Sequence, residues 1–172
     1  SIRGESSVFA EWKLLAGVGT SHIRENFDDL VYSVDETDND LHAMDFALQK
    51  DFEESSFKFG AGFFNFVGIQ GRLFSELAAG GAPLGNSQGP AGRVKNNFRV
   101  LRAYAEHKYK FNAFELTSFV ERLINEDTRD PNRAWWAGAG GKTKAWTFQL
   151  AYAELESDVV PAIFTFSDFA AG

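Results

Sequence analysis

Residues 56–81, SFKFGAGFFNFVGIQGRLFSELAAGG, form the most apolar stretch of this 172-residue chain. Two periodicities compete in it. Phe57 and Phe59 alternate with polar neighbours, which is the period of a β-strand. From Phe63 onward, large apolar residues recur every three or four positions, which is the spacing of a buried helix face. Since one helix face could bury nearly all of these side chains, we predict a core helix that is entered through the turn at residues 60–62.

The composition indicates a folded protein without disulfides. The chain has 18 Phe, 4 Trp and no Cys, so it can bury a sizeable core, and it has no cysteine nucleophile or thiolate metal site. The longest apolar run, residues 61–69, is too short for a membrane-spanning helix. We therefore expect no membrane partner. The compartment is not determined; a soluble, cytoplasmic or virion protein is favoured over a disulfide-bonded extracellular one.

The rest of the chain gives a mainly α prediction. We predict one domain over residues 1–172, a bundle of about six short helices. Its acidic helical half is 1–79, a long Gly/Pro loop covers 80–92, and its basic helical half is 93–172. The predicted domain ends in an extended tail docked on the bundle. Residues 144–156 remain ambiguous because apolar residues alternate as in a strand among strong helix formers; we favour a helix.

Charge is strongly segregated along the sequence. The net charge is −7, yet residues 25–54 hold eleven acids and one base, while residues 93–110 hold six bases and one acid. Opposed blocks of this kind indicate contact within the fold or between neighbouring copies. Two solvated faces of opposite sign are the alternative.

The basic segment is the main candidate for function. Lys95, Arg99 and Arg102 have the spacing i, i+4, i+7, which places three cations on one side of a helix. Cations that follow phosphates, together with aromatic rings that stack on bases, are the requirements of sequence-tolerant nucleic-acid binding. The predicted nucleic-acid-binding residues are Lys95, Arg99, Arg102, Tyr104, Lys108, Lys110, Arg133, Lys142 and Lys144. The alternative is that the basic stripe pairs with the chain's own acidic half and the aromatic residues belong to the core.

Other motifs match their families only in part. Residues 85–89 fit G-x-S-x-G but lack the flanking strand and helix of a nucleophile elbow. Residues 138–143 resemble only the end of a phosphate-binding loop. The acidic run 35–40 lacks the glycine and the glutamate of a calcium loop. The three histidines share no ligand spacing. We therefore predict no catalytic residue, metal ligand or cofactor.

The favoured function is a self-assembling structural protein that coats single-stranded nucleic acid, as a coat or nucleocapsid protein does. Its partners would be further copies of itself and the nucleic acid. One alternative is a non-enzymatic helical module that binds a protein partner through residues 25–54. Another is an enzyme with a site built from distant carboxylates, which is less favoured because no catalytic constellation is found.

Overall fold

The protein is one antiparallel sheet of eight strands in the order of the sequence. The structure is a computed structural model and describes residues 2–9, 11–23, 39–73, 86–129 and 132–161. The strands are β1 Ile2–Phe9, β2 Trp12–Ile23, β3 Asn39–Asp51, β4 Ser55–Val67, β5 Phe98–Phe111, β6 Phe114–Asn125, β7 Arg133–Lys142 and β8 Thr147–Leu155. Apart from one 3-10 turn, Pro90–Gly92, the described residues contain no helix. The predicted mainly α bundle is therefore wrong.

Up to residue 73, the stretch that was predicted to be the core helix is strand β4 followed by a turn; its residues 74–81 lie outside the described residues. The alternation around Phe57 and Phe59 continues to Val67, and glycines with positive φ at Gly68 and Gly71 then turn the chain. The helical spacing arose because both faces of β4 are apolar near its end. Where large residues point to both sides of a strand, period two is hidden and a helix of period 3.6 fits equally well.

The basic half is also made of strands. The predicted helix that begins at residue 93 is replaced by strand β5. Segment 144–156 contains strand β8, so the helix favoured there is wrong and the strand alternative is correct. One sheet runs through both predicted halves, because β4 pairs with β5 from Phe66↔Phe98 to Ser55↔Tyr109.

The two ends of the sheet differ in their connections. At one end, called the hairpin end, the strands are joined by residues 10–11, 52–54, 112–113 and 143–146. At the other end, called the loop end, the connections are residues 24–38, 68–97 and 126–132. Every strand therefore pairs only with its neighbours in sequence.

The buried core lies at the loop end on one side of the sheet. Three segments, residues 69–73, 86–97 and 156–161, contribute Ile69, Val94 and Val159 to it. The strand residues of this cluster are Phe66, Phe98, Val100, Leu123 and Ala134. We call the three segments the cap.

Buried polar groups fix the cap. Asp158, 1% exposed, accepts hydrogen bonds from the Ser87 backbone N–H at 2.6 Å and the Asn96 amide at 2.9 Å. Asn125, fully buried, donates to the Asp158 carbonyl at 2.7 Å and to the Asn97 carbonyl at 2.9 Å. Since buried polar groups need partners, these bonds attach the cap to strand β6.

Several predictions lie outside the described residues. They are the body of a second helix around Phe27 and Leu30, most of the acidic run 35–40, part of the loop 80–92, and the tail beyond residue 161. Among the described residues, no helix has the length and hydropathy needed to cross a membrane.

Candidate functional site

The strand register divides the sheet into two chemically different faces. Residues directly opposite each other on antiparallel strands share a face, and successive residues alternate between faces. One face contains Phe46, its β4 partner Ala61 and the residues in register with them; we call it the apolar face. The other contains Asp45, its β4 partner Gly62 and, opposite Gly62, Arg102; we call it the polar face.

The apolar face is exposed to an unusual extent. Fourteen of the 17 exposed large apolar side chains among the described residues lie on it. They are Val18, Met44, Phe46, Leu48, Phe57, Phe59, Val67, Leu101, Phe111, Val120, Trp135, Phe148, Leu150 and Tyr152. A contiguous apolar surface that extends over β2 to β8 far exceeds what water-soluble monomers expose.

Charged side chains on the apolar face are confined to its margins. Within the described part of β2 to β8 they lie at most three residues from a strand end, and they are Asp40, Lys50, Arg99, Arg122, Arg133 and Glu154. Lys50, at the hairpin end, extends over the rings of Trp12 and Phe52 at 5.9 and 5.1 Å and pairs with Glu11 at 3.0 Å. The face thus has an uncharged middle and charged edges.

A continuous row of aromatic rings borders the apolar face at the hairpin end. Neighbouring rings are 4.2 to 6.4 Å apart from centroid to centroid. The row, called the aromatic row, consists of Phe52, Phe57, His107, Tyr109, Phe111, Phe114, Phe148 and Trp146. The Tyr109 hydroxyl donates to Glu54 at 2.9 Å, and this bond raises the pKa of Tyr109. At Tyr109 the aromatic row therefore has a polar atom on the turn side.

A smaller aromatic pair stands near the loop end. Trp135 and Tyr152 lie 5.3 Å apart, and the Trp135 indole N–H donates to Glu154 at 3.0 Å. Both rings are exposed, at 40% and 62%. Aromatic residues with polar anchors thus border the uncharged middle of the apolar face at both of its ends.

The polar face contains a cluster of ionic groups that crosses four strands. Glu121 on β6 accepts two bonds from the Arg102 guanidinium on β5, at 2.6 and 3.1 Å. The same guanidinium lies 3.7 Å from Asp45 on β3, which also accepts the Tyr104 hydroxyl at 2.9 Å. We call these four residues the ionic cluster. Bidentate pairing makes the bond between Arg102 and Glu121 its strongest contact.

Two glycines of β4 make this arrangement possible. A Cβ on Gly60 would lie 2.2 Å from the Tyr104 ring, and one on Gly62 would lie 2.9 Å from the Asp45 carboxylate. Only glycine leaves room for the Tyr104 and Arg102 side chains to lie flat across β4 and reach β3. Burial raises the pKa of Tyr104 to about 12, and the hydrogen bond to Asp45 acts in the same direction. The phenol is therefore a neutral donor at physiological pH.

A polar cleft of about 320 Å³ opens at the hairpin end of the polar face. Its lining contains three lysines, four acids and polar groups, namely Lys58, Lys108, Lys110, Asp51, Glu53, Glu106, Glu115, Gln49, Ser55 and Ser56, with Phe52 at its margin. The cleft therefore has charges of both signs. No group of three or more His, Asp or Glu within the described ranges could hold a metal ion.

The structure divides the predicted nucleic-acid-binding residues between the two faces. Since Arg99 and Arg102 are three residues apart on a strand, they point to opposite sides. Arg99 and Arg133 lie at the loop end of the apolar face, Lys95 precedes β5, and Lys144 is in the β7–β8 connection. The polar face holds Arg102, Tyr104, Lys108, Lys110 and Lys142. The predicted stripe on one helix is therefore not formed.

Several of the basic residues are paired with acids of this chain. Arg99 binds Asp127, with its Nε 2.8 Å from a carboxylate oxygen, and this contact raises the pKa of Arg99. Lys108 lies 3.3 Å from Glu106. Arg102 and Asp45 link the basic segment 93–110 with the acidic segment 25–54, so part of the opposed charge is in contact within the fold.

The residues that sequence reasoning missed are Asp45, Glu121, Gly60 and Gly62. Period-two alternation from Leu41 to Lys50 would have placed Asp45 opposite the apolar residues, but the helical interpretation concealed it. Comparison with known proteins adds no constraint: no protein-family model, no curated protein and no solved structure matches the chain. The chemistry of the two faces is therefore the main source of functional information.

Proposed function

We propose that the sheet is embedded in a membrane, with the apolar face against lipid hydrocarbon and the polar face toward a water-filled space. The protein would form a wall between lipid hydrocarbon on one side and water on the other. The observation that carries this proposal is the exposed, uncharged middle of the apolar face between aromatic borders. It departs from the expectation of no membrane partner, which depended on helical spans alone.

The dimensions of the apolar face suit a bilayer. On β4 this face carries no charge from Phe57 to Val67. Eleven residues extend over about 34 Å along the strand, and a tilt of about 40° reduces this height to about 26 Å. A strand that crosses the hydrocarbon layer needs about 9–11 residues.

The margins of the apolar face also have the chemistry of a membrane interface. Tyrosine and tryptophan concentrate where hydrocarbon meets headgroups, because one part of the ring is apolar and the other is polar. The aromatic row and the pair of Trp135 and Tyr152 occupy these positions, and Lys50 extends from the apolar face toward Glu11 in the turn. Long cationic side chains at such depths place their charge in water and their methylenes in lipid.

The distribution of charge between the faces supports the same orientation. In water-soluble proteins, charged groups are exposed and large apolar groups are buried. Here the side chain of Glu121 is 11% exposed on the polar face, while Leu150 is 79% exposed on the apolar face. If hydrocarbon surrounds the apolar face, its apolar side chains are no longer in contact with water, and the unusual distribution of exposed and shielded side chains is explained.

Coating of single-stranded nucleic acid stays a hypothesis with less support. It depended on a helical stripe of cations, whereas the structure separates these residues and pairs Arg99, Arg102 and Lys108 with acids. We therefore prefer the membrane proposal.

The test compares two neighbouring residues of β8 that point to opposite faces. Leu150→Lys places a charge on the apolar face, and Gln149→Lys places the same charge on the polar face. Each purified variant is added from urea to vesicles of a short-chain phosphatidylcholine, and folding is followed by circular dichroism and by quenching of tryptophan by brominated lipid.

The wild type and Gln149→Lys should fold into the vesicles with quenched tryptophan fluorescence. Leu150→Lys should lose about 2–4 kcal/mol of folding free energy in lipid, because lysine near the bilayer midplane is strongly unfavourable. A sheet that folds equally well without vesicles and tolerates both lysines would rule out the proposal, since an exposed leucine in water is replaced at little cost.

A further inference from the structure

Strand β8 has one edge that no described residue pairs with. Its inner edge is hydrogen bonded to β7 from Ala134↔Leu155 to Lys142↔Thr147, and β8 is the last strand of the sheet. All nine of its residues are exposed. Within the part of the chain that the structure describes, the outer edge therefore presents a row of unpaired backbone N–H and C=O groups.

Most of β8 lacks the features that protect an edge strand. Natural edges are blocked by lysine, proline, bulges or very short strands. From Thr147 to Ala153, β8 contains no charge and no proline, and its pairing with β7 is regular. The apolar residues Phe148, Leu150 and Tyr152 continue the apolar face to the edge.

The opposite edge of the sheet is built differently. Strand β1 has Arg3 and Glu5, and its pairing with β2 shifts register between Ser7 and Phe9. On the apolar face the register places Ile2, Gly4 and Ser6. The regular part of its ladder covers the six residues from Ile2 to Ser7, against nine residues in β8, so a second β8 offers the longer regular partner.

We infer that the free edge of β8 pairs with β8 of a second copy of this chain, around a two-fold axis at Ala151. Two identical strands related in this way run antiparallel, and residues whose numbers add to 302 lie opposite each other. Leu150 then faces Tyr152 of the second copy on the apolar face. Gln149 faces Ala153 of the second copy on the polar face.

The side chains of β8 restrict the pairing to registers that keep the two faces continuous. A shift by one residue would place apolar side chains beside those of the polar face. In the proposed register, Glu154 lies opposite Phe148 of the second copy, so no like charges meet. The two sheets would become one continuous sheet with one continuous apolar face. The inference goes beyond the membrane proposal and depends only on the edge, so it holds in detergent as well as in lipid.

The test uses single cysteines, which the cysteine-free chain allows without background. Ala151→Cys in the full chain, folded in detergent micelles or vesicles, should form a disulfide-linked dimer under mild oxidation. Its control is Ala103→Cys, an exposed position in the interior strand β5. We expect crosslinking at residue 151 to be at least about tenfold faster, since pairing raises the local thiol concentration to the millimolar range.

The register has its own test. Gln149→Cys and Ala153→Cys should crosslink to each other in a mixture and much less when each is present alone. Equal rates for Ala151→Cys and Ala103→Cys would overturn the inference, as would a mixture that crosslinks no faster than its separate components. Circular dichroism of each variant establishes that the sheet is intact. A monomeric mass measured by light scattering under the same conditions would also contradict the pairing.

Discussion

The hydroxyl of Tyr104 donates a 2.9 Å hydrogen bond to Asp45, although the two residues lie on β5 and β3 with β4 between them. The contact passes over Gly60, whose hydrogen leaves the space for the phenol ring. Polar side chains thus join strands that share no backbone hydrogen bonds. Since the side chains of the apolar face are largely exposed, contacts of this kind on the polar face help to specify the register of the sheet.

A methyl group at Gly60 is expected to break this contact. The added Cβ of Gly60→Ala would lie 2.2 Å from the Tyr104 ring, so the ring must leave Asp45. We expect the free energy of unfolding to fall by about 1–3 kcal/mol, the usual range for overpacking. Urea unfolding measures this loss.

The control for this variant is Gly17→Ala, also on the polar face. Its Cβ would meet only the Arg3 side chain, at 4.0 Å. Where a strand has space for the methyl group, replacing glycine by alanine stabilises the folded protein by about 0.5–1 kcal/mol. Equal effects of the two substitutions would show that Gly60 is not needed for the Tyr104 contact.

Removal of Arg102 is expected to cost more than removal of Arg102 and Glu121 together. Arg102→Met leaves the Glu121 carboxylate, 11% exposed, without its bidentate partner. We expect a loss of about 2 kcal/mol, less than for a fully buried pair because Arg102 is 28% exposed. The double variant Arg102→Met, Glu121→Met removes both charges and should recover part of the loss. A double-mutant cycle by urea unfolding measures the coupling, and strict additivity would contradict it.

Ionisation of Tyr104 is expected only at strongly alkaline pH. Because burial raises its pKa to about 12, the folded state favours the neutral phenol. The resulting stabilisation is complete below the ordinary tyrosine pKa of about 10 and is lost as the pH rises through 12. Ultraviolet difference titration of the wild type against Tyr104→Phe isolates this step. Asp45→Asn should lower the titration midpoint of Tyr104, because the hydrogen bond to Asp45 also raises its pKa. An unchanged midpoint would mean that burial alone sets the pKa of Tyr104.

The cap is expected to depend on Asn125. Its side chain donates to two carbonyls and accepts from the Arg99 and Asp127 backbone N–H groups at 3.1 and 3.0 Å. Asn125→Ala should lower the unfolding free energy by about 2–4 kcal/mol, because several buried groups lose partners at once. It should also increase hydrogen exchange of the Ser87 and Asp127 amides. Asn112→Ala, in the exposed β5–β6 turn, is the matched control and should change neither measurement.

Part of the fold could be predicted from the sequence, but large apolar residues on both faces of some strands hid the strand period elsewhere. Alternation at Phe57 and Phe59, and again from Trp146 to Tyr152, was a correct signal for strands, although a helix was predicted in both places. It failed near the loop end, where Phe64, Phe66 and Val100 belong to the core beneath the cap and make the polar face apolar as well. With large residues on both faces, strand and helix periods fit equally well, and alanine and leucine then favoured the helix.

The candidate site was obscured for a related reason. Lys95, Arg99 and Arg102 form a stripe only if the backbone is helical, whereas on a strand an odd spacing separates two residues between faces. Asp45 and Glu121 are 76 residues apart in sequence, and they meet around Arg102 only through the pairing of four strands. No local pattern predicts a contact of this kind without the register.

The sequential order of the strands also shapes how the chain can fold. Four of the seven pairings close across connections of two to four residues, so they form as local hairpins. The pairing of β4 with β5 instead closes a loop of 30 residues, 68–97, and each doubling of loop length adds about 0.6 kcal/mol of entropic cost. We therefore expect β1–β4 and β5–β8 to assemble as two kinetic units whose joining at this seam is the late step.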